Sequence, residues 1–234
     1  MSNKDKSKET ELNIYVGHRK RVKEKFLRAP IRTLPDYELI EMLLFNCYPR
    51  RDTKPKAKAL LNKFGSIKAL ISADLETIKD ISEASDSLLY QIKLLQDIFS
   101  RLFISPEENV NILSNWNAVL NYCNLTMGFQ NCEIFRVLYL NKKNVLIHDE
   151  ILQTGTVDRV AIYPREIAKK SLSYSASAII LVHNHPSGEA SPSPEDIEIT
   201  HKIIKALEPL SIVVHDHLII SKDKTFSFKN SGLI

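Results

Sequence analysis

The sequence predicts an α+β fold, with an all-helical N-terminal domain over residues 15–104 and a mixed strand–helix domain over 112–234. Three observations carry this. Apolar residues recur at helical spacing as far as Phe103. A polar, proline-marked stretch, Ser105-Pro106-Glu107-Glu108-Asn109, then interrupts the pattern and reads as the domain boundary. From Ile134 onward, apolar runs of strand length alternate with helix-length amphipathic segments.

In the helical part, Gly17–Arg28 is a basic helix with Val22 and Phe26 turned inward, and Pro30 ends it. Thr33–Asp36 starts a second helix through Leu39, Ile40, Leu43 and Leu44, which Tyr48–Arg51 breaks. Asp52–Pro55 leads into a third, with Ala57, Leu60, Leu61 and Phe64 on one face and Gly65 as its stop. Ser66–Ile71, Leu75–Ile81 and Leu88–Phe103 continue in the same way. Leu60–Leu95 resembles a helix-hairpin-helix unit, whose glycine-rich hairpin can bring backbone amides up to a phosphate. The matching segment here, Ile81–Leu88, has no glycine and carries Glu83 and Asp86, so packing or protein contact is expected of it before DNA binding.

In the second part, Trp116–Tyr122 reads as a helix, and Ile134–Leu140 as a strand. Asn141–Asn144 is a hairpin turn, and Val145–Glu150 is the return strand, running on to Leu152. Pro164–Ser173 is a helix. Ile179–Val182 is a buried strand leading into His183. Pro194–Leu207 is a helix, and Ile212–Val214, Leu218–Ser221 and Thr225–Phe228 are the closing strands.

Composition narrows the function classes. A hydrophobic share of 44% and a charged share of 26% are those of an ordinary globular protein. No apolar run approaches the ~20 residues that span a bilayer, and residues 1–14 are polar, without the apolar core of a secretory signal. A disordered tail is expected there. The 3 cysteines, Cys47, Cys123 and Cys132, are widely spaced, which argues against a disulfide framework or a thiolate metal site and for a reducing cytoplasm. The net charge of +4 is uneven: residues 1–60 carry 15 Lys/Arg against 8 Asp/Glu, and the rest of the chain is net acidic. Any nucleic-acid contact is therefore expected on the N-terminal domain.

The chemistry concentrates in 178–196. Its strand ends in His183-Asn184-His185-Pro186, and one intervening residue puts both imidazoles on the same side of an extended chain. Pro186 and Gly188 break the strand, and Pro194 opens a helix with Asp196 in its first turn. Two histidines and a carboxylate suit a zinc that keeps a fourth position for water. Ser193-Pro194-Glu195-Asp196 also reads as a capped helix start with no metal at all, Ser193 being the N-cap and Asp196 capping back. The two readings are compatible.

His-x-His-Pro followed by Ser-x-x-Asp is similar to the JAMM motif of the JAB/MPN metallopeptidases, and the form His-Asn-His-Pro-Ser-Gly resembles their bacterial RadC-like branch. Gly155-Thr156, Tyr163–Glu166, Asp216-His217, Gly17–Arg19, Asp36–Leu39 and Phe64–Ser66 extend the resemblance over nearly the whole chain. It implies an MPN fold, a curved sheet packed between helices. It further implies a zinc held by His183, His185 and Asp196, and a peptide or isopeptide amide substrate. A glutamate from the strand of the first hairpin would be the general acid/base, and Glu150 is read in that place, with Asp149 and Asp158 nearby. Ser193 would donate to the oxyanion.

Asn184 points away from the histidines and is expected to shape the loop. His215-Asp216-His217 is a second His-x-His; His217 or Asp216 is expected to orient a ligand imidazole, and a rival metal site is the alternative. His201 falls on another helix face, and His18 and His148 have no evident partner. The competing function is a DNA-associated binding protein with a structural zinc.

Overall fold

The structure is a computed structural model and describes residues 17–49, 51–81, 85–104, 111–155, 162–222 and 224–234. The expected tail and the boundary at Ser105–Asn109 lie outside the described residues, as do Ser82, Glu83 and Ala84 of the hairpin, Thr156 and Asp158. The chain divides into two compact units: residues up to Ile71 with Leu75–Leu94, and Ser72–Asp74 with Leu95–Ile234.

The first unit is helical: α1 (His18–Arg28), α2 (Asp36–Cys47), α3 (Lys54–Phe64), α4 (Ile67–Ser72), α5 (Leu75–Lys79) and the start of α6 (Asp86–Phe103). Ile40, Leu44, Ala57, Leu60, Leu70, Ile78, Leu88 and Ile92 are buried. Val22 is buried as the helical periodicity has it, but Phe26, read as turned inward with it, is exposed. Gly65 ends α3 at φ 79°, a backbone angle that glycine adopts without steric cost. Part of the basic helix is internal scaffolding. The Arg19 guanidinium donates to the carbonyls of Phe45 at 2.8 Å and Tyr48 at 2.5 Å, at the end of α2. His18 does have a partner, the buried carboxylate of Glu41 at 2.8 Å.

The second unit holds α7 (Trp116–Met127), β1 (Glu133–Leu140), β2 (Leu146–Gly155), α8 (Pro164–Ser173), β3 (Ala178–Asn184), α9 (Pro194–Leu207), β4 (Val213–Ile220) and β5 (Thr225–Ser227). The strands form one open sheet in the order β2-β1-β3-β4-β5. Only β3 and β4 are parallel, joined through α9; the other neighbours are antiparallel.

Strand alternation divides the core into two layers. Leu138, Ile180, Val182 and Leu218 face Val119, Cys123 and Met127 of α7. Phe135, Val137, Ile179 and Leu181 face Ile167 of α8 and Ile203 and Leu207 of α9. A mixed sheet between helical layers is the α+β architecture the sequence predicts. Two boundaries differ in ways that matter below. β1 begins one residue earlier, at Glu133. The segments 212–214 and 218–221 are one strand, β4, with a register shift that leaves His215 unpaired beside Val214 and Asp216.

Candidate metal centre

β3 is buried on both faces and delivers His183 at its C-terminal end. His183 lies opposite Phe135 of β1, so it sits on the α8/α9 side of the sheet. The chain leaves the strand at His185, whose backbone N–H still donates to Ile220 at 2.9 Å, and then turns at Gly188, φ +95°. The loop returns to α9, which starts with a complete capping box. The Ser193 hydroxyl accepts from the Asp196 N–H at 3.1 Å, and the Asp196 carboxylate accepts from the Ser193 N–H at 2.8 Å.

His183, His185 and Asp196 each present one ligand atom, and these atoms lie within 4.8 Å of one another. The two Nε2 atoms are 3.0 Å apart; Asp196 Oδ1 is 3.2 Å from His183 Nε2, and Oδ2 is 3.6 Å from His185 Nε2. His185 Nδ1 is 2.8 Å from the carbonyl of Glu189, which can only accept, so Nδ1 carries the proton and the neutral ring turns a bare Nε2 inward. With two imidazole nitrogens and a carboxylate oxygen turned to one point, the donor set fits a cation of the zinc type.

The electrostatics agree. Burial works to raise the Asp196 pKa, but the two imidazoles and the Ser193 amide outweigh it and hold the carboxyl well below the usual range. The contact with Asp196 raises the His185 pKa, against burial, and the Glu133 carboxylate adds to the rise.

Several sequence expectations can be followed to their places. Asn184 points to the other face, as expected. Its Oδ1 accepts from the Ile134 N–H at 2.7 Å and its Nδ2 donates to the Cys132 carbonyl at 3.0 Å, so one side chain clamps the backbone on either side of Glu133. The Ser193 hydroxyl donates its single proton to Asp196 Oδ2 at 2.7 Å. His217 lies behind the triad, with its Nε2 2.8 Å from His183 Nδ1. It is fully buried, which drives its pKa well down. Asp216 instead ties down the C-terminal segment, through Ser227 Oγ at 2.6 Å and the Lys229 N–H at 3.0 Å. His215 bonds Asn144 at 2.8 Å, so the bulge separates the two histidines of the second pair and they form no metal site. His201 bonds the Leu233 carbonyl, and His148 stacks on Tyr174 at 4.0 Å.

The carboxylates of the hairpin sort by register. Asp149 pairs with Leu138, on the α7 side, where it bonds Tyr122 and Arg136. Glu150 shares the face of His183, but it pairs with Val137, whose other neighbour is Leu181. That is two strands across and two residues along from His183, roughly 10 Å by 7 Å. Glu150 is bound there to Lys170 of α8. Glu133, which the sequence reading passed over, lies two residues before Phe135 on the same face, and continuing the register brings it level with His185, just past the end of β3. A polar first residue on a strand breaks no periodicity, so only the pairing finds it.

A family model of a RadC-like JAB domain matches residues 113–233. The chain belongs to this family. A UPF0758 protein of Ruegeria pomeroyi is 43% identical to it over 217 residues, covering 93% of this chain and 97% of the relative. The matched RadC-like JAB domain holds the whole candidate cluster of His183, His185 and Asp196, the capping box of α9 and Glu133. Among the described residues, no helix is long and apolar enough to cross a membrane.

Proposed function

We propose that this RadC-like JAB protein is a zinc-dependent hydrolase that cleaves a peptide or isopeptide amide. The observation that carries the reading is the convergence of His183 Nε2, His185 Nε2 and an ionised Asp196 carboxylate on one point at the end of a rigid strand. Three protein ligands are the number that a catalytic zinc takes when it keeps a place for water.

His183, His185 and Asp196 would hold the ion. Its contribution when bound is the Lewis acidity that makes water nucleophilic near neutral pH. Glu133 takes the proton of the attacking water and returns it to the leaving amine, the role that the family resemblance gives to a hairpin glutamate. The register favours Glu133 over Glu150, because it stands one strand from the ligands and contributes to the field at His185. Asn184 sets its backbone. Ser193 holds the Asp196 carboxylate, and donating to an oxyanion requires its proton to leave that bond.

Metal analysis of the purified chain beside Asp196→Ala tests the reading. The expected result is about one zinc per native chain, lost in the variant, together with amide hydrolysis that a chelator abolishes. A native chain that takes up no zinc on incubation with the metal overturns it.

A further inference from the structure

We propose that the C-terminal end of α1 and the turn after it form a docking surface for an anionic lipid bilayer. Leu27 and Ile31 enter the headgroup layer, and the cations around them meet its phosphates. The surface lies wholly within the helical unit and is independent of the metal centre.

Three large apolar side chains stand in water within this short stretch. Phe26 is 46% exposed, Leu27 82% and Ile31 94%. Single exposed apolar residues are ordinary, but a cluster rimmed by charge marks an interaction site. The inner face of α1 is already occupied: Val22 is buried, and His18 and Arg19 are tied to α2. Leu27 lies on the outer face, in one row with Lys23, four residues before it, and Lys20, seven before. Ile31 comes just after the helix ends at Ala29, in a turn where the Thr33 hydroxyl donates to the Pro30 carbonyl at 2.7 Å.

Positive charge surrounds these side chains. Residues 17–32 carry 7 Lys/Arg against 1 Asp/Glu. Arg28 adjoins Leu27 and Arg32 adjoins Ile31, and neither is in an ion pair among the described residues. Arg32 sits at φ 68°, in the left-handed region that glycine adopts freely and other residues adopt at a cost. The chain thus keeps a cation beside Ile31 in a conformation better suited to glycine, and such an outlier points to function.

The combination of groups selects the partner. A nucleic-acid backbone is met by cations and offers an exposed leucine and isoleucine nothing to bury against. A folded protein needs a pocket cut for each protruding side chain. The bilayer interface takes apolar side chains into the acyl boundary, and its anionic headgroups attract Lys and Arg whatever their register. Since no described helix is long and apolar enough to cross a membrane, the protein lies on the bilayer at this surface.

Vesicle flotation of the full chain tests the proposal, at about 0.15 M salt, where charge attraction is largely screened beyond about 8 Å. Vesicles of phosphatidylcholine with about one-third phosphatidylglycerol should carry the protein with them, and phosphatidylcholine alone should not. Leu27→Ser combined with Ile31→Ser removes the inserting groups and no charge, and should lower the partition coefficient at least about tenfold. Arg28→Gln and Arg32→Gln should each lower it about fivefold. All of these positions are exposed, and circular dichroism checks that each variant keeps the native helical signal.

A native chain that stays off the anionic vesicles overturns the proposal; if duplex DNA then retains it, the surface belongs to a nucleic acid. Partition that survives the double serine change also overturns it, because the attraction is then one of charge without insertion.

Discussion

Phe135 on β1 lies directly opposite His183 on β3, and its ring stacks on the imidazole with an interplanar angle of 9°. This pairing decides which acid on the hairpin stands beside the candidate metal ligands. Two residues back from Phe135 is Glu133, at the level of His185; two residues forward is Val137, whose partner on β2 is Glu150.

The first prediction follows from that register. Glu133→Gln should retain zinc and lower amide hydrolysis by roughly 10²–10⁴-fold, the usual contribution of a positioned general acid/base. Glu150→Gln removes only one partner of the Lys170 ion pair and should change the rate by no more than a few-fold. Rates measured on both variants at equal zinc occupancy decide the matter. A Glu133→Gln enzyme at the native rate, beside a dead Glu150→Gln, would return the role to Glu150.

Ser193 separates two roles by magnitude. Its hydroxyl accepts from the Asp196 N–H and donates to the Asp196 carboxylate. Ser193→Ala loses a helix cap, worth about 1 kcal/mol of stability, and leaves the carboxylate less firmly oriented, which should weaken zinc about tenfold. If holding Asp196 is its whole role, kcat at saturating zinc stays within about tenfold of native. A further loss of roughly 10²–10³-fold in kcat would instead mark an oxyanion donor.

What could be read from the sequence was local. His183, His185 and Asp196 announce themselves through a strand end, a one-residue gap and a helix start, all within 14 residues of chain. The capping box of Ser193 and Asp196 is equally local and is present as read. The helical and strand periodicities gave the α+β architecture for the same reason. Glu133 was invisible because its meaning comes from pairing across the sheet. For the second His-x-His, His217 does stand against the His183 imidazole, as the first expectation had it, and only the alternative of a rival metal site fails. Equal spacing implies a shared face only in a regular strand, and the bulge at His215 turns one ring to Asn144 and the other to His183.

Asp149 shows how far chain proximity can diverge from chemical role. It adjoins Glu150, yet its carboxylate lies on the α7 side of the sheet, 2.9 Å from Arg136 and bonded to the Tyr122 hydroxyl. The Arg136 side chain is only 8% exposed, so the ion pair supplies the counter-charge that its burial requires. Asp149→Ala should therefore destabilise the protein by about 3–5 kcal/mol, because it leaves a guanidinium buried without its partner. Tyr122→Phe, which removes one hydrogen bond and keeps the ion pair, should cost about 1 kcal/mol. Neither change touches the face that carries His183, so the zinc content of the folded fraction should remain that of the native chain. Chemical denaturation paired with metal analysis checks both halves. Loss of zinc from a folded Asp149→Ala protein would mean that the two faces of β1 are coupled, through Arg136 and its neighbour Phe135, more tightly than the layered packing implies.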